Sequence, residues 1–332
     1  MKKLWFILLA VVVVSALIFI GCPGTPAPEE PIVIKFVSFK PNVPPDAFFE
    51  QTLIDNVNEM SGGELTIDWV GGPEAIPMPD AAAAAAMGSI DMVSALYGFA
   101  DPLCPGMECM AFTPLTMAEI RASGAWDIVK ERFMDNGLYM LGHSVMCQPD
   151  TMAAFFSSVR IEKIDDFKGL NVAAPSPTYA AFTAALGANP AMMTFADYFT
   201  AMERGTVDAY SLGIPGMLAF GLVDVSDYMV SQTFGTCGSA FFVNMDVWNS
   251  LSPHLQDVMN EAAIKAEADA LLLWDDLLVE SIATAEAAGM EVVEWSPAES
   301  ERLVELFYET SWALVEERAP ELTSQLKPLL LP

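Results

Sequence analysis

Cysteine, histidine and the carboxylates are the residue types in this chain that could do chemistry. Cys104 and Cys109 flank Pro105-Gly106, a spacing that lets them close a small loop, and Cys147 and Cys237 complete an even set. Outside the cytoplasm four such thiols fit two disulfides in any of about three pairings. Buried free thiols in a large core are the other reading. The spacing matches no zinc pattern, and only His143 and His254 are there to help, so no metal site is expected. The two histidines stand in no recognisable motif, and no Gly-rich phosphate loop, GxSxG or HExxH occurs. Acids are so numerous that no pair stands out as an acid–base couple. Neither catalysis nor a cofactor is expected. A thiol oxidoreductase built on Cys104 and Cys109 is the rival from the enzyme class.

That leaves recognition by shape, and strands and helices must position the residues for it. Ile161–Tyr210 holds the densest pattern. It predicts a strand over 170–174, a turn bearing Pro175, Ser176 and Pro177, a helix over 178–186 and a short strand. A helix over 196–203 and a further strand follow. Short apolar strands alternating with helices imply an α/β fold whose mixed sheets are flanked by helices. In such sheets ligands sit outside the carboxyl ends of the strands, where Pro175–Pro177 and Ser211–Pro215 fall.

The same alternation runs through the N-terminal part. Strands are predicted over 32–38, 65–70, 90–96 and 139–143, with helices over 48–60, 80–87 (Asp80 as cap) and 117–136. A strand over 240–243 should return the chain to this first unit. Apolar residues then keep helical period across 252–288, with Ser252 as cap and Pro253 at the first helical position. Such a helix is about 50 Å long, too long for one small core, and implies a strut across two domains. A strand over 291–294 and an amphipathic helix over 297–315 complete the chain. The expected division is 32–154 with about 244–290 as the first domain, and 155–243 with about 291–332 as the second.

Residues 1–21 stand apart. Lys2 and Lys3 precede an apolar run from Leu4 to Ile20, and Gly21-Cys22 follows, the pattern of a lipoprotein signal peptide with Cys22 as the lipidated residue. An uncleaved single span is the alternative. Residues 22–31 read as a Pro-rich, semi-rigid tether. Losing the leader removes two lysines and no acids, taking the net charge from −29 to −31. An acid excess of this size excludes nucleic acid as a partner, and any electrostatic grip on anionic lipid.

DFKGLNVAAPSPTY (Asp166–Tyr179) and LGANPAMMTFADYFTAMERGTVDAY (Leu186–Tyr210) resemble the solute-binding proteins of TRAP transporters, the DctP type. SGGELTIDWVGG and AMGSIDMV extend the likeness. It implies a two-domain periplasmic-binding-protein-like fold with a long hinge-spanning helix. It also implies an extracytoplasmic receptor that captures a small organic solute by domain closure, for TRAP membrane permease subunits driven by ions rather than ATP. Held through Cys22, it would be anchored to the membrane on its outer side.

The resemblance also marks a departure. The arginine with which this family clamps a substrate carboxylate falls on Ala173, and the family's asparagine falls on Leu212. No Lys or Arg occurs from Gly169 to Glu203 or from Gly205 to Ile264, and none lies between Pro149 and Val159. A carboxylate buried in a closed cleft needs a cation or several donors. The second domain offers only Ser176, Tyr179, Tyr210, Ser211 and backbone amides. From the first, Lys40 is either an inward-reaching cation or a solvated loop residue. The expectation is a neutral or apolar ligand, lined by Phe39, Gly72, Tyr97, Pro175, Tyr179, Tyr210 and Leu212. A carboxylate held on backbone amides, a cation, or a scaffold lipoprotein that has lost transport are the alternatives.

Overall fold

The structure, a computed structural model, describes residues 31–43, 47–144, 147, 150–236 and 238–331. The expected leader, Cys22 and Cys237 lie outside the described residues. Among the described residues no helix is long and apolar enough to cross a membrane.

Eleven strands are numbered in chain order: β1 Ile32–Val37, β2 Leu65–Gly71, β3 Met92–Leu96, β4 Leu138–His143, β5 Ala153–Ser157, β6 Asn171–Ala174, β7 Asn189–Met192, β8 Ala209–Gly213, β9 Tyr228–Val230, β10 Ser239–Asn244 and β11 Glu291–Val293. They form two sheets, of order β2-β1-β3-β10-β4 and β11-β9-β5-β8-β6-β7. In the first, β10 runs antiparallel between β3 and β4. In the second, β5 runs antiparallel to β8 and β9. These two reversed strands are where the chain enters one sheet after leaving the other. The fold is thus the expected pair of mixed α/β sheets flanked by helices. Strands β4, at one edge, and β10, inside the sheet, are both buried along their whole length, as a helix-covered sheet requires. β7 is an edge strand, which suits Pro190 because it has no N–H to give.

The helix Phe48–Met60 has the bounds its apolar spacing predicts, and Ser61-Gly62-Gly63 turns the chain out of it. The helix Pro253–Ala287 starts as expected, with Ser252 Oγ accepting from Leu255 N at 3.3 Å. Its first half buries Leu255, Met259, Ala262 and Ala266 in the core under the first sheet. Its second half packs on the helix Ile214–Ala219, which follows β8 of the second sheet. It is a strut joining the two units.

Three expectations are corrected. The helix predicted over 117–136 is two, Met117–Ser123 and Ala125–Asp135, divided at Gly124, whose φ of 85° a helix cannot contain. Asp80 makes no capping bond and lies instead in the 3-10 turn Met78–Asp80. The last helix runs to Arg318, and a further one, Pro320–Leu330, follows it. This final helix packs on Met107–Ala111 and on both helices around Gly124, and Thr113 Oγ1 donates to Leu330 O at 2.5 Å. The C-terminal helix thus lies against elements that connect β3 to β4.

Cys104 and Cys109 are buried free thiols and form no bridge across Pro105-Gly106. Burial pushes the Cys104 thiol up to about 12 and raises that of Cys109 further. Neither supplies a thiolate near neutral pH, which is the species a redox or nucleophilic role needs.

Candidate functional site

A cavity lies between the two sheets, outside the carboxyl ends of β1 and β3 on one side and of β6 and β8 on the other. The space open to the centre of a water-sized sphere is about 100 Å³. Phe39 and Lys40 follow β1, and Tyr97, Gly98 and Phe99 follow β3. Pro175, Ser176 and Tyr179 follow β6, and Ser211, Leu212 and Gly213 end β8. Of the residues expected at the site, Phe39, Lys40, Tyr97, Pro175, Ser176, Tyr179, Ser211 and Leu212 line this cavity.

Gly72, Ala173 and Tyr210 do not. Gly72 lies behind Lys40, its N–H given to Glu74 Oε1 at 2.7 Å. Ala173 is paired with Ala191 and Tyr210 inside the sheet and is fully buried there. Tyr210 packs its ring against Phe156 and Tyr198 and exchanges a hydrogen bond with Ser226 Oγ at 2.9 Å. Side chains alternate along a strand, so when part of β8 faces the cleft its neighbours enter the core behind.

Lys40 is not the solvated loop residue that was one reading of it. Its ammonium lies 3.0 Å from Glu50 Oε2, with the two side chains 3% and 0% exposed, and 4.7 Å from the centre of the Phe49 ring. Glu50 also accepts from Ser38 Oγ at 3.0 Å. Arg121, the next cation along the chain, is held by Glu267, Nε to Oε2 at 2.9 Å and Nη2 to Oε1 at 2.5 Å. Glu267 also accepts from His143 N at 2.8 Å. Both of these basic side chains are thus neutralised by carboxylates of the protein itself.

His143 is buried between Tyr97 and Trp126, with Tyr97 Oη 2.7 Å from its Nδ1. Burial, helped by the Arg121 guanidinium, holds its pKa well below the usual imidazole range. The imidazole is neutral and serves to fix the Tyr97 hydroxyl at the cavity wall. Ser176 caps the helix Pro177–Ala185, accepting from Tyr179 N.

Several lining residues carry no mark in the sequence. Phe99, Phe112, Phe195, Phe220 and Trp274 add aromatic surface, and Glu108 adds a carboxyl. All but Phe99, which follows β3, sit outside the expected strand-end positions, on a helix or connection whose approach to the cleft is set by packing. Glu108 is one acid among forty-four, and nothing local distinguishes it. Among the described residues no cluster able to hold a metal ion occurs.

A mainly apolar pocket between two α/β units is built for binding a solute, and its wall presents no activated nucleophile or paired acid and base. The model of a family of bacterial extracellular solute-binding proteins, family 7 (DctP), matches residues 47–316. The chain belongs to that family. Its members are binding receptors rather than enzymes. Solved structures share the fold of this family 7 protein at low identity. A TRAP periplasmic solute-binding protein from Desulfovibrio salexigens with bound orotic acid has a TM-score of 0.79 and 18% identity, over 90% of this chain and 98% of that one. One from Sulfitobacter sp. NAS-14.1 with β-D-galacturonate has a TM-score of 0.76 and 18% identity, over 90% and 99%. An extracytoplasmic solute receptor from Bordetella pertussis binding pyroglutamic acid has a TM-score of 0.77 and 16% identity, over 90% and 99%. A curated relative from Haemophilus influenzae, an uncharacterised protein, is 26% identical over 108 residues. That match spans about a third of this chain and a third of the relative.

Proposed function

We propose that this family 7 protein is the receptor of a TRAP-type permease, tethered outside the cytoplasm through a lipid on Cys22. We propose further that it takes a neutral or apolar organic solute rather than a simple carboxylate. The observation that carries the ligand class is the occupation of Lys40 by Glu50 at 3.0 Å, beside a cavity walled mainly by aromatic and aliphatic side chains. The solved structures of the same fold hold galacturonate, orotic acid and pyroglutamic acid, all acids. In this cleft such a ligand would meet Ala173 buried in its sheet and no uncommitted cation among the lining residues. Its desolvation would go without the charge that offsets it.

The mechanism is closure of the two sheet units around the solute. The ligand stabilises the closed arrangement by its greater affinity for it, and the helix Pro253–Ala287 joins the moving parts. The closed receptor is the form a permease would accept.

A thermal-shift screen of the soluble protein, begun at Ile32, tests the ligand class with carboxylates, neutral polar compounds and apolar compounds. A ligand at 100 times its Kd adds about 2.7 kcal/mol of stability. Apolar or uncharged compounds are expected to raise the melting temperature while simple carboxylates leave it unchanged. Tight binding of ordinary carboxylates would show that backbone amides do the clamping and would sink the reading. The anchor has its own test: Cys22→Ser in the full chain is expected to release the protein from the membrane fraction. Retention there would leave an uncleaved span as the explanation.

A further inference from the structure

The charge at the cavity wall is unbalanced at one place. Glu108 lies on the 3-10 turn Met107–Ala111, and its Oε2 accepts from Thr178 Oγ1 at 2.5 Å, on the helix that follows β6. Its Oε1 lies over Gly98, where any side chain would collide with it, so Gly98 is what leaves room for the carboxyl. Arg318 approaches the same carboxyl, Nη1 to Oε2 at 3.6 Å. That guanidinium is shared, since its Nη2 bonds Asp101 Oδ2 at 2.5 Å. One cation therefore faces two carboxylates. Lys40 and Glu50 cancel each other, so when Glu108 and Asp101 are both ionised this corner of the wall carries one negative charge more than it balances. The rings of Tyr97, Phe99, Phe112 and Tyr179 line the same cavity. An anionic group beside aromatic faces is the arrangement that favours an organic ammonium, through charge-assisted hydrogen bonds and the ring quadrupoles.

We propose that Glu108 is the specificity-determining residue of the cleft, its carboxylate taking the ammonium end of an amine whose apolar body fills the aromatic cavity. The inference rests on the part of that reading that excludes carboxylates and fills the cavity with an apolar body, and it gives that body a cationic end. Burial raises the pKa of Glu108 above the usual carboxylate range, against the opposing influence of Thr178 and Arg318. Charge on this group is thus costly when the cleft is empty and is offset when a cation arrives. The groups facing it are Arg318, Asp101, Cys109 and Tyr179, with the Thr178 and Ser176 hydroxyls. Raising the pH ionises Glu108 and so strengthens ammonium binding; lowering it protonates Glu108 and weakens that binding.

Calorimetric titration of the soluble protein with 2-phenylethylamine, 2-phenylethanol and phenylacetate tests this. The three probes share a body and differ in the charge of one end. The amine is expected to bind about tenfold more tightly than the alcohol, the scale of one hydrogen bond to a charged group. In Glu108→Gln that preference is expected to vanish. Because the residue is buried, a second measurement uses the wild type alone: amine affinity should fall as the pH is lowered while alcohol affinity stays constant. Amine binding no tighter than alcohol, or a preference that survives both Glu108→Gln and acidification, overturns the role of Glu108 and leaves the apolar-solute reading standing. Tightest binding by phenylacetate overturns both.

Discussion

Replacing Lys40 with alanine is expected to destabilise the protein by about 3–5 kcal/mol, the scale of removing one partner from a buried ion pair. The ammonium lies 3.0 Å from Glu50 Oε2, and the two side chains are 3% and 0% exposed. Glu50 is fully buried, so the change leaves its carboxylate without the cation that offsets its desolvation. The Ser38 hydroxyl, 3.0 Å from Glu50 Oε1, supplies a donor but no charge. The rings of Phe39 and Phe49, 5.6 and 4.7 Å from the ammonium, lose a favourable contact as well. Making both side chains uncharged, with Lys40→Met and Glu50→Gln together, should cost much less than the single change, because no carboxylate is then stranded. Urea unfolding of the wild type and the two variants decides the matter, provided that the denaturant slopes agree. A loss below about 1 kcal/mol in Lys40→Ala would place the pair in the class of solvated surface bridges. It would also return Lys40 to the roster of cations available to a ligand.

Trp274→Ala is expected to cost a similar amount, about 3–5 kcal/mol, and to weaken ligand binding at the same time. The indole is 1% exposed, its ring centre stands 5.9 Å from that of Phe49, and its Nε1 donates to Thr151 Oγ1 at 2.9 Å. It also forms part of the cavity wall, although it belongs to the helix that joins the two units. Truncation therefore opens a void in the strut and removes apolar surface from the ligand. Trp274→Phe keeps most of that surface and gives up one hydrogen bond, a loss of about 1 kcal/mol. Thermal melts of both variants, with and without the best compound from the screen, separate the two effects. Equal losses for Ala and Phe would mean that the ring packs loosely and that the hydrogen bond is the whole contribution.

The helices Phe48–Met60 and Pro253–Ala287 were legible because their apolar period, their stops and, for the second, a Ser-Pro start are all local. Local signals misled where two helices meet. Met117 to Asn136 keeps an acceptable helical pattern through Gly124, where the chain instead takes a positive φ and the final helix packs across both segments. The cleft was legible in outline, since the carboxyl ends of alternating strands are named by the order of elements alone. Tyr210 and Ala173 escaped that rule because strand position does not say which face a side chain takes.

By itself the sequence determined the fold class, the strand ends that meet at the cleft and the family. It also gave Ala173 where the family resemblance leads one to expect an arginine, and only two histidines. Those are properties of residue type and spacing. Only the tertiary structure decided the charge of the site. Lys40 meets Glu50 across a turn, Arg121 meets Glu267 from 146 residues away, and Glu108 shares Arg318 with Asp101. A buried charge is stabilised or stranded by whichever groups share its water-poor surroundings, and chain folding, not sequence distance, chooses those neighbours.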